Sequence, residues 1–269
     1  MSDYFVGAMK GVILSINPQA RIVDITHEIA PQDIFAAAFT LLAVYESFPP
    51  GTVHVAVVDP GVGSSRRPII AVAGRQFFVG PDNGIFSYIL DHEPDVRVFH
   101  LTKEEYFRQP VSTTFHGRDV FAPVAAALSS GVKPEKLGER IDDPVPLPAL
   151  GVSQLRKGKL RGRILHIDHF GNCITNLTQR DLPSEWLEGS VRLTINRRVI
   201  KSFRRCFSDE TENGDGLFAI WGSAGFLEIA AMNQSAAELL NARRGQPVVV
   251  SASNKTNKPR YNLIRNRER

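Results

Sequence analysis

The sequence has few cysteines, no long apolar run and little net charge, and each of these absences excludes a class of protein. Cys173 and Cys206 are the only cysteines in 269 residues, which is too few for a disulfide framework or a cysteine-based metal cluster. No apolar run reaches the roughly 18 residues that span a bilayer. Residues 1–10 lack the layout of a secretion signal. We therefore expect a cytoplasmic protein with two reduced thiols and no membrane partner.

The positive charge is concentrated at the carboxyl end of the chain. The formal net charge is +4, but residues 254–269 carry six basic side chains against one acid, so the residues before them sum to −1. A short basic end after the last apolar segment is typical of a solvated tail. We therefore expect 254–269 to be a disordered basic tail, and the charge pattern does not favour a nucleic-acid partner.

The first half of the chain alternates apolar strand-like segments with helical patterns. Helices are predicted over 6–16, 33–48 and 119–130, strands over 21–26 and 53–58, and a hairpin over 69–79 about Gly74-Arg75. The segment 53–58 is the clearest strand because it is rich in valine and is followed by Asp59-Pro60-Gly61. Alternation of this kind predicts an α/β N-terminal domain over 1–148, with a mostly parallel sheet covered by helices.

The second half has a different organisation. Residues 142–158 contain three prolines and show no periodicity, so we place a linker at 149–160. Short strands with turn-rich gaps follow, and their predicted ranges are 162–167, 190–195, 216–221, 226–230 and 247–252. This pattern favours a small antiparallel β-barrel as the C-terminal domain, over 161–253.

Two polar segments in the first half are candidates for chemistry. Residues 59–67 follow the best strand, at the carboxyl end where open α/β sheets bind ligands. A glycine turn capped by an arginine explains them equally well, and they match neither a phosphate-binding P-loop nor a dinucleotide fingerprint. Residues 113–119 place His116 before a helix, where a single histidine is more often structural than catalytic.

A third polar segment ends a predicted strand of the second half. Asp168, Phe170 and Asn172 offer a carboxylate, an aromatic face and an amide within five residues, which suits an adenine or ribose pocket. His166 and His169 also allow a metal site, but no third ligand is evident, so we expect none.

As a set, these segments resemble one known family. They resemble the S-adenosyl-L-methionine (SAM) hydroxide adenosyltransferases, also called adenosine-forming SAM hydrolases, which are related to the SAM-dependent fluorinase and chlorinase. The resemblance runs in order from about residue 3 to residue 252 and rests on residues 17–18, 23–29, 59–67, 80–84, 113–123 and 168–176. Relatives begin with an apolar strand ending in Thr-Asp-Phe-Gly, and the sequence starts just past that point, so either the true start lies upstream or this first strand is missing.

The resemblance implies an architecture and a reaction. It implies an α/β domain and a small β-barrel that assemble as a homotrimer, with SAM bound between one subunit's first domain and a neighbour's second. Water, acting as hydroxide, displaces methionine from the ribose C5′ and yields adenosine and L-methionine. SAM is the substrate, and neither a metal nor another cofactor is expected.

The resemblance also implies which residues act. The residues that handle the water fall on Asp59, Arg66 and His116. We hypothesise that Arg66 lowers the pKa of the water, that Asp59 orients Arg66 and the water, and that His116 accepts the proton. The substrate contacts fall on Asp59, Asp168, Phe170, Asn172, Ser223 and Glu228, with backbone near Ala231.

Two alternatives remain open. A protein that binds SAM or adenosine without turnover would fit the missing first strand. A SAM-dependent halogenase is disfavoured, because the hairpin between Arg67 and Val79 is short where the halogenases resemble one another in a long insertion. The halogenases also lack the Asp-Arg-His set, so its presence here favours hydrolysis over both alternatives.

Overall fold

The computed structural model describes residues 3–187, 191–209 and 216–252. They form two compact units that divide between Leu150 and Gly151. The basic tail expected at 254–269 lies outside the described residues. Within the described part of the chain, no helix is long and apolar enough to cross a membrane.

The N-terminal unit combines helices with one sheet. Its helices are α1 (Phe5–Ile16), α2 (Ile34–Val44), α3 (Ser87–His92) and α4 (Ala122–Ser129), and a π-helical turn at Gly117–Phe121 leads directly into α4. Its strands are β1 (Val53–Val55), β2 (Pro68–Ala73), β3 (Gln76–Pro81), β4 (Arg97–Leu101) and β5 (Gly138–Ile141). The three predicted helices are confirmed, the last of them starting as the π-helical turn.

The sheet of this unit is mostly antiparallel, so the prediction of a mostly parallel sheet is wrong. Its strand order is β1-β3-β2-β4-β5, and only β1 and β3 run parallel. Strands β2 and β3 are joined by Gly74 and Arg75, both with positive φ (56° and 63°). A two-residue turn of this type matches the twist of a hairpin and brings the two strands together antiparallel.

The apolar runs that suggested a parallel sheet have another cause. Ile69 and Phe78 belong to a core cluster with Leu41 of α2. On the other face, Ile70 and Val79 belong to a cluster with residues of α4. Because both faces of β2 and β3 are covered, these strands are apolar on both sides, as parallel strands usually are.

The strand predicted at 21–26 is also wrong, because these residues form no strand and pair with no described strand. Val23 is 67% exposed there. The strand predicted at 53–58 is confirmed only over Val53–Val55. The polar loop that begins at Asp59 therefore starts four residues beyond the last paired residue.

The C-terminal unit is a curled sheet. Its strands are β6 (Ser153–Leu155), β7 (Lys159–Ile167), β8 (Cys173–Thr178), β9 (Val191–Ile195), β10 (Arg198–Ile200), β11 (Phe203–Arg204), β12 (Leu217–Trp221), β13 (Phe226–Ala231) and β14 (Pro247–Ala252), and its helices are α5 (Ser184–Leu187) and α6 (Ala236–Leu240). The five strands predicted for this half correspond to β7, β9, β12, β13 and β14.

The pairing path of this sheet is β10-β9-β14-β7-β8-β13-β12-β11, with β6 added beside β7. All pairs are antiparallel except β11 with β12, so the expected antiparallel character is confirmed. Within the described strands the two ends of the path do not pair, and the sheet is a curled half-barrel rather than a closed barrel. Its concave core includes Ile164, Leu177 and Leu227.

Candidate active site

The loop after β1 holds Asp59 and Arg66 together. The Arg66 guanidinium donates from Nε to Asp59 Oδ1 at 2.8 Å and from Nη2 to Asp59 Oδ2. The side chains are almost fully enclosed, with 5% of Asp59 and 8% of Arg66 exposed. Local bonds shape the loop, since Ser64 Oγ donates to the Gly61 carbonyl and accepts from the Arg66 N–H. A bidentate, enclosed arginine–carboxylate pair of this kind has one defined orientation.

A second loop brings His116 to this pair. Arg66 Nη2 lies 2.9 Å from His116 Nδ1, although the residues are 50 positions apart. The two loops meet closely at Gly63, which has φ of 77° and lies so near the Thr113 carbonyl that a β-carbon would overlap it. Only glycine combines that backbone conformation with that approach. The structure therefore brings together all three residues that the resemblance implied for handling water.

The hydrogen bond from Arg66 fixes the protonation state of His116. An arginine side chain has donors and no acceptor, so His116 Nδ1 must accept, and the neutral ring then carries its proton on Nε2. Burial lowers the pKa of His116, and the Arg66 charge lowers it further, while Asp59 and Asp119 oppose the shift. His116 is therefore held neutral, as a donor through Nε2.

One nitrogen of Arg66 is left without a partner. Nη1 is buried and forms no hydrogen bond with any described residue, while the guanidinium lies over the Phe121 ring at 5.3 Å. A buried donor without an acceptor is costly, so native proteins supply one, often a water or a ligand oxygen. Nη1 is thus a buried donor that no described residue satisfies.

Asp59 and His116 also line a cavity of about 890 Å³ in the N-terminal unit. Its other walls are largely apolar and include Val55, Val57 and Phe115. A mostly apolar cavity with a few polar groups at one point is the usual form of a small-molecule site.

In the C-terminal unit, Asp168 organises the turn between β7 and β8. Its Oδ1 accepts from the backbone N–H groups of Phe170 at 2.9 Å and Asn172 at 2.8 Å, and its Oδ2 accepts from Asn172 Nδ2 at 2.8 Å. The Phe170 ring is 76% exposed, which leaves its face free to stack on a planar ligand.

Strand β13 adds Glu228 to this cluster. In the sheet, Glu228 pairs with Ile174 of β8, the strand that follows the Asp168 turn. Burial raises the pKa of Glu228, and the charge of Asp168 raises it further. Ser223 lies in the turn between β12 and β13, next to Gly222, whose missing β-carbon leaves room for the Glu228 carboxylate. Ala231 is buried at the end of β13, three residues beyond Glu228. The structure thus gathers Asp168, Asn172, Glu228 and Ser223 in one region.

Sequence reasoning missed two residues of the first cluster. Phe121 supports the Arg66 guanidinium, and Asp119, fully buried, binds the loop that carries His116. Asp119 was visible only as the first residue of the helix predicted over 119–130, and no spacing signal marked Phe121. No group of three or more metal-ligating side chains occurs among the described residues.

Comparison with known proteins places both units. Residues 1–138 match the SAM hydroxide adenosyltransferase N-terminal domain, and residues 162–249 match the SAM hydroxide adenosyltransferase C-terminal domain. The chain belongs to the SAM hydroxide adenosyltransferase family. The suspected resemblance is thereby confirmed.

Members of the family with similar sequences include two proteins named (R)-S-adenosyl-L-methionine hydrolase. The one from Methanocaldococcus jannaschii is 36% identical over 249 residues, covering 89% of this chain and 88% of the relative. The one from Thermus thermophilus is 37% identical over 255 residues, covering 92% and 94%. A crystal structure of an uncharacterized conserved protein from Thermotoga maritima superposes with a TM-score of 0.86 at 34% identity, covering 93% of this chain and 96% of that one.

Proposed function

We propose that the chain hydrolyses SAM to adenosine and L-methionine. Similar proteins that span nearly the whole chain carry the hydrolase name. The observation that carries the proposal is the buried Arg66, held by Asp59 and His116, with Nη1 lacking an acceptor among the described residues. A protein that only bound SAM would have no use for a cation held between a carboxylate and a histidine.

The reaction needs a good nucleophile and little else. Attack of the water oxygen on C5′ forms a C–O bond, and the C5′–S bond breaks with its electron pair moving to the sulfur. The sulfonium leaves as a neutral thioether, so neither a general acid nor a Lewis acid is needed for departure. One proton from the water is released, and the protein's task is to place the water in line behind C5′ and favour its hydroxide form.

Arg66 supplies the charge that favours hydroxide. A guanidinium donor directed at the oxygen stabilises negative charge that grows as the proton departs, and an enclosed site strengthens this effect. Asp59 holds the guanidinium through both carboxylate oxygens. We assign Nη1 as the donor that contacts the oxygen of the attacking water.

The protonation state of His116 changes the role hypothesised for it. Its Nδ1 already accepts from Arg66 and its Nε2 carries the proton, so it has no free lone pair to accept one. We assign His116 the role of a donor that orients the water or substrate oxygen. The water proton is released to solvent, while Asp59 keeps the guanidinium in place.

The cluster around Asp168 is the proposed site for SAM in the second domain. Phe170 stacks on the adenine, Asp168 and Asn172 provide polar contacts, and Ser223, Glu228 and backbone near Ala231 complete them. The exposed ring of Phe170 and the raised pKa of Glu228 support this assignment. Asp59 contacts the substrate from the first domain.

Three copies of the chain are proposed to share these sites. The resemblance implies a homotrimer in which the first domain of one subunit, 1–148, faces the second domain of a neighbour, 161–253. Light scattering at working concentration should give about three times the 29.7 kDa chain mass. A monomeric mass for an active enzyme would remove the shared site.

Isotope labelling tests the reaction directly. Incubated with SAM in ¹⁸O-labelled water and EDTA, the purified chain should yield methionine and adenosine with ¹⁸O at its 5′ oxygen, and the Asp59→Ala variant should yield far less. A 5′-halogenated product in the presence of chloride or fluoride would instead indicate a halogenase. Bound SAM with no product would indicate a binding protein, and loss of turnover in EDTA would contradict metal-free chemistry.

A further inference from the structure

Asp119 is a fully buried carboxylate for which the proposed reaction has no direct use. Its Oδ1 accepts from Arg118 Nε at 2.7 Å and Arg108 Nη1 at 3.2 Å. Its Oδ2 accepts from Arg118 Nη2 at 2.8 Å and the Ser112 N–H at 3.0 Å. A single enclosed carboxylate therefore takes four hydrogen bonds from three residues.

These bonds close the loop that carries His116. Arg108 and Ser112 lie before His116 in the chain, Arg118 lies after it, and the Arg108 N–H also donates to the Asp119 carbonyl at 2.8 Å. The Ser112 side chain further bonds to Thr114, between this anchor and His116. The segment 108–119 thus forms a ring tied at Asp119, with His116 on it.

The backbone shape at this point also depends on the ring. His116 immediately precedes the π-helical turn Gly117–Phe121, of which Asp119 is the central residue. Single π-helical turns inserted before α-helices often occur at functional sites, because they redirect one side chain. Here the π-helical turn separates two residues that contact Arg66. His116 precedes the turn and accepts a hydrogen bond from Arg66, and Phe121 ends the turn and packs its ring against the guanidinium.

We propose that Asp119 is a positioning residue: by tying Arg108, Ser112 and Arg118 together it fixes His116 Nδ1 against Arg66 Nη2, and its negative charge opposes that of Arg66 at the imidazole. The inference rests on the proposed function, since positioning matters only if Arg66 and His116 act on water. It goes beyond it by giving a role to a residue that touches neither the water nor SAM.

The electrostatics agree with the geometry. Burial would raise the pKa of Asp119, but the bonds from Arg118, the Ser112 N–H and Arg108 outweigh it and hold that pKa below its ordinary value. The charged groups that act on His116 are Arg66 and Asp59 from the loop after β1 and Asp119 from its own turn. From α1, the neutral Met9 packs at this turn, near Gly117.

The Asp119→Asn variant separates positioning from simple structural support. We expect kcat per folded enzyme to fall by roughly tenfold or more, with KM for SAM nearly unchanged, because a small displacement of aligned groups is expensive for the chemical step. The acid limb of the kcat/KM profile, set by His116, should move to lower pH by roughly half a unit, because the Asp119 charge that raises the pKa of the imidazole against Arg66 is removed.

The Arg108→Gln variant should move the acid limb in the opposite direction. It also tests the proposal if Asp119→Asn does not fold. Half of the Arg108 side chain is exposed, so its loss is well tolerated. Removing its positive charge leaves more of the Asp119 charge acting on His116, and the acid limb should move to higher pH. Arg97→Gln, which breaks the exposed pair with Glu135 elsewhere in the same unit, is the matched control and should leave the limb unmoved.

Titration of the His116 ring by NMR gives the same pKa values without any turnover. The proposal predicts shifts of opposite sign for Asp119→Asn and Arg108→Gln in both measurements. If His116 titrates in both variants as it does in wild type, and kcat per folded enzyme also equals wild type, the proposal is wrong. Opposite NMR shifts in a protein that does not hydrolyse SAM would retain the positioning of His116 and reject the proposed reaction.

Discussion

Replacing Arg66 with alanine should lower kcat for SAM hydrolysis by about 100-fold or more, while the dissociation constant for SAM changes only a few-fold. Removing a single preorganised donor from an enclosed site typically has an effect of this size. The guanidinium is proposed to contact the nucleophile rather than SAM, so we expect ground-state binding to be spared. Single-turnover rates and calorimetric titration with SAM measure the two quantities separately.

Stability has to be separated from catalysis in this variant. Removing Arg66 leaves Asp59 as an unpaired carboxylate that is 5% exposed, and breaking an enclosed ion pair from one side costs about 3–5 kcal/mol. The Arg66→Lys variant keeps the charge. A lysine has a single nitrogen, so it cannot hold both Asp59 oxygens and His116 in the same geometry. We expect it to fold well and still to lose most of the rate.

The neighbouring arginine provides the control. Arg67 bonds to Asp82 and Asp143 and contacts neither Asp59 nor His116. Arg67→Lys should therefore change thermal stability more than kcat. Wild-type kcat in both Arg66 variants would refute the role assigned to Arg66, and an equal loss of kcat in Arg67→Lys would show that the loop as a whole, rather than Arg66, carries the effect.

The sequence predicted the helices of the first unit and its hairpin well, but not the direction of its strands. Strands β2 and β3 are apolar on both faces because helices cover both, and the same composition serves parallel and antiparallel sheets. The Gly74-Arg75 turn predicted the antiparallel pairing of β2 and β3 correctly, since a two-residue connection allows only an antiparallel pair. Local turn chemistry was the better guide to topology.

The strand predicted at 21–26 failed for a different reason. Its β-branched residues satisfy the local preference for a strand. A strand also needs a partner to take its backbone hydrogen bonds, and no described strand pairs with it. Ile22 and Ile25 remain more than one third exposed. Pairing depends on residues distant in the chain, which a local pattern does not contain.

The sequence predicted which residues form the candidate site, but it did not predict how their side chains are arranged. Asp59, Arg66 and His116 came from the family resemblance, because the 50 positions between Arg66 and His116 carry no spacing signal. The hydrogen bond at His116 Nδ1 could only be found in the fold, and the donor role that we propose for His116 in place of an acceptor role depends on it. Asp119 was visible as a residue before a helix, while its four hydrogen bonds were not.

The second large effect is expected at Asp168. Its replacement by alanine should raise KM for SAM by about 10- to 100-fold, the equivalent of losing a hydrogen bond to a charged group, with a much smaller change in kcat. Asp168 is proposed to contact SAM in a region distant in sequence from Arg66, and it also holds the turn that presents Phe170. Initial rates over a range of SAM concentrations give both parameters.

Two further variants divide this effect between charge and structure. Asp168→Asn keeps an oxygen that can accept from the Phe170 and Asn172 N–H groups but removes the negative charge. Asp181→Ala is the matched control, because Asp181 likewise accepts backbone and side-chain bonds, from Thr178, in another turn of the same unit. It should cost stability without raising KM.

The outcome for Asp168→Asn decides what SAM recognises. If KM rises as much as in Asp168→Ala, the substrate binds the carboxylate charge. The pKa of Glu228 should fall in this variant, because the Asp168 charge that helps to raise it has gone. If KM stays near wild type, Asp168 acts only by ordering the turn, and the contact belongs to Phe170 and Asn172. An unchanged KM in Asp168→Ala would remove this turn from the substrate site, because both the charge and the order of the turn are lost in that variant.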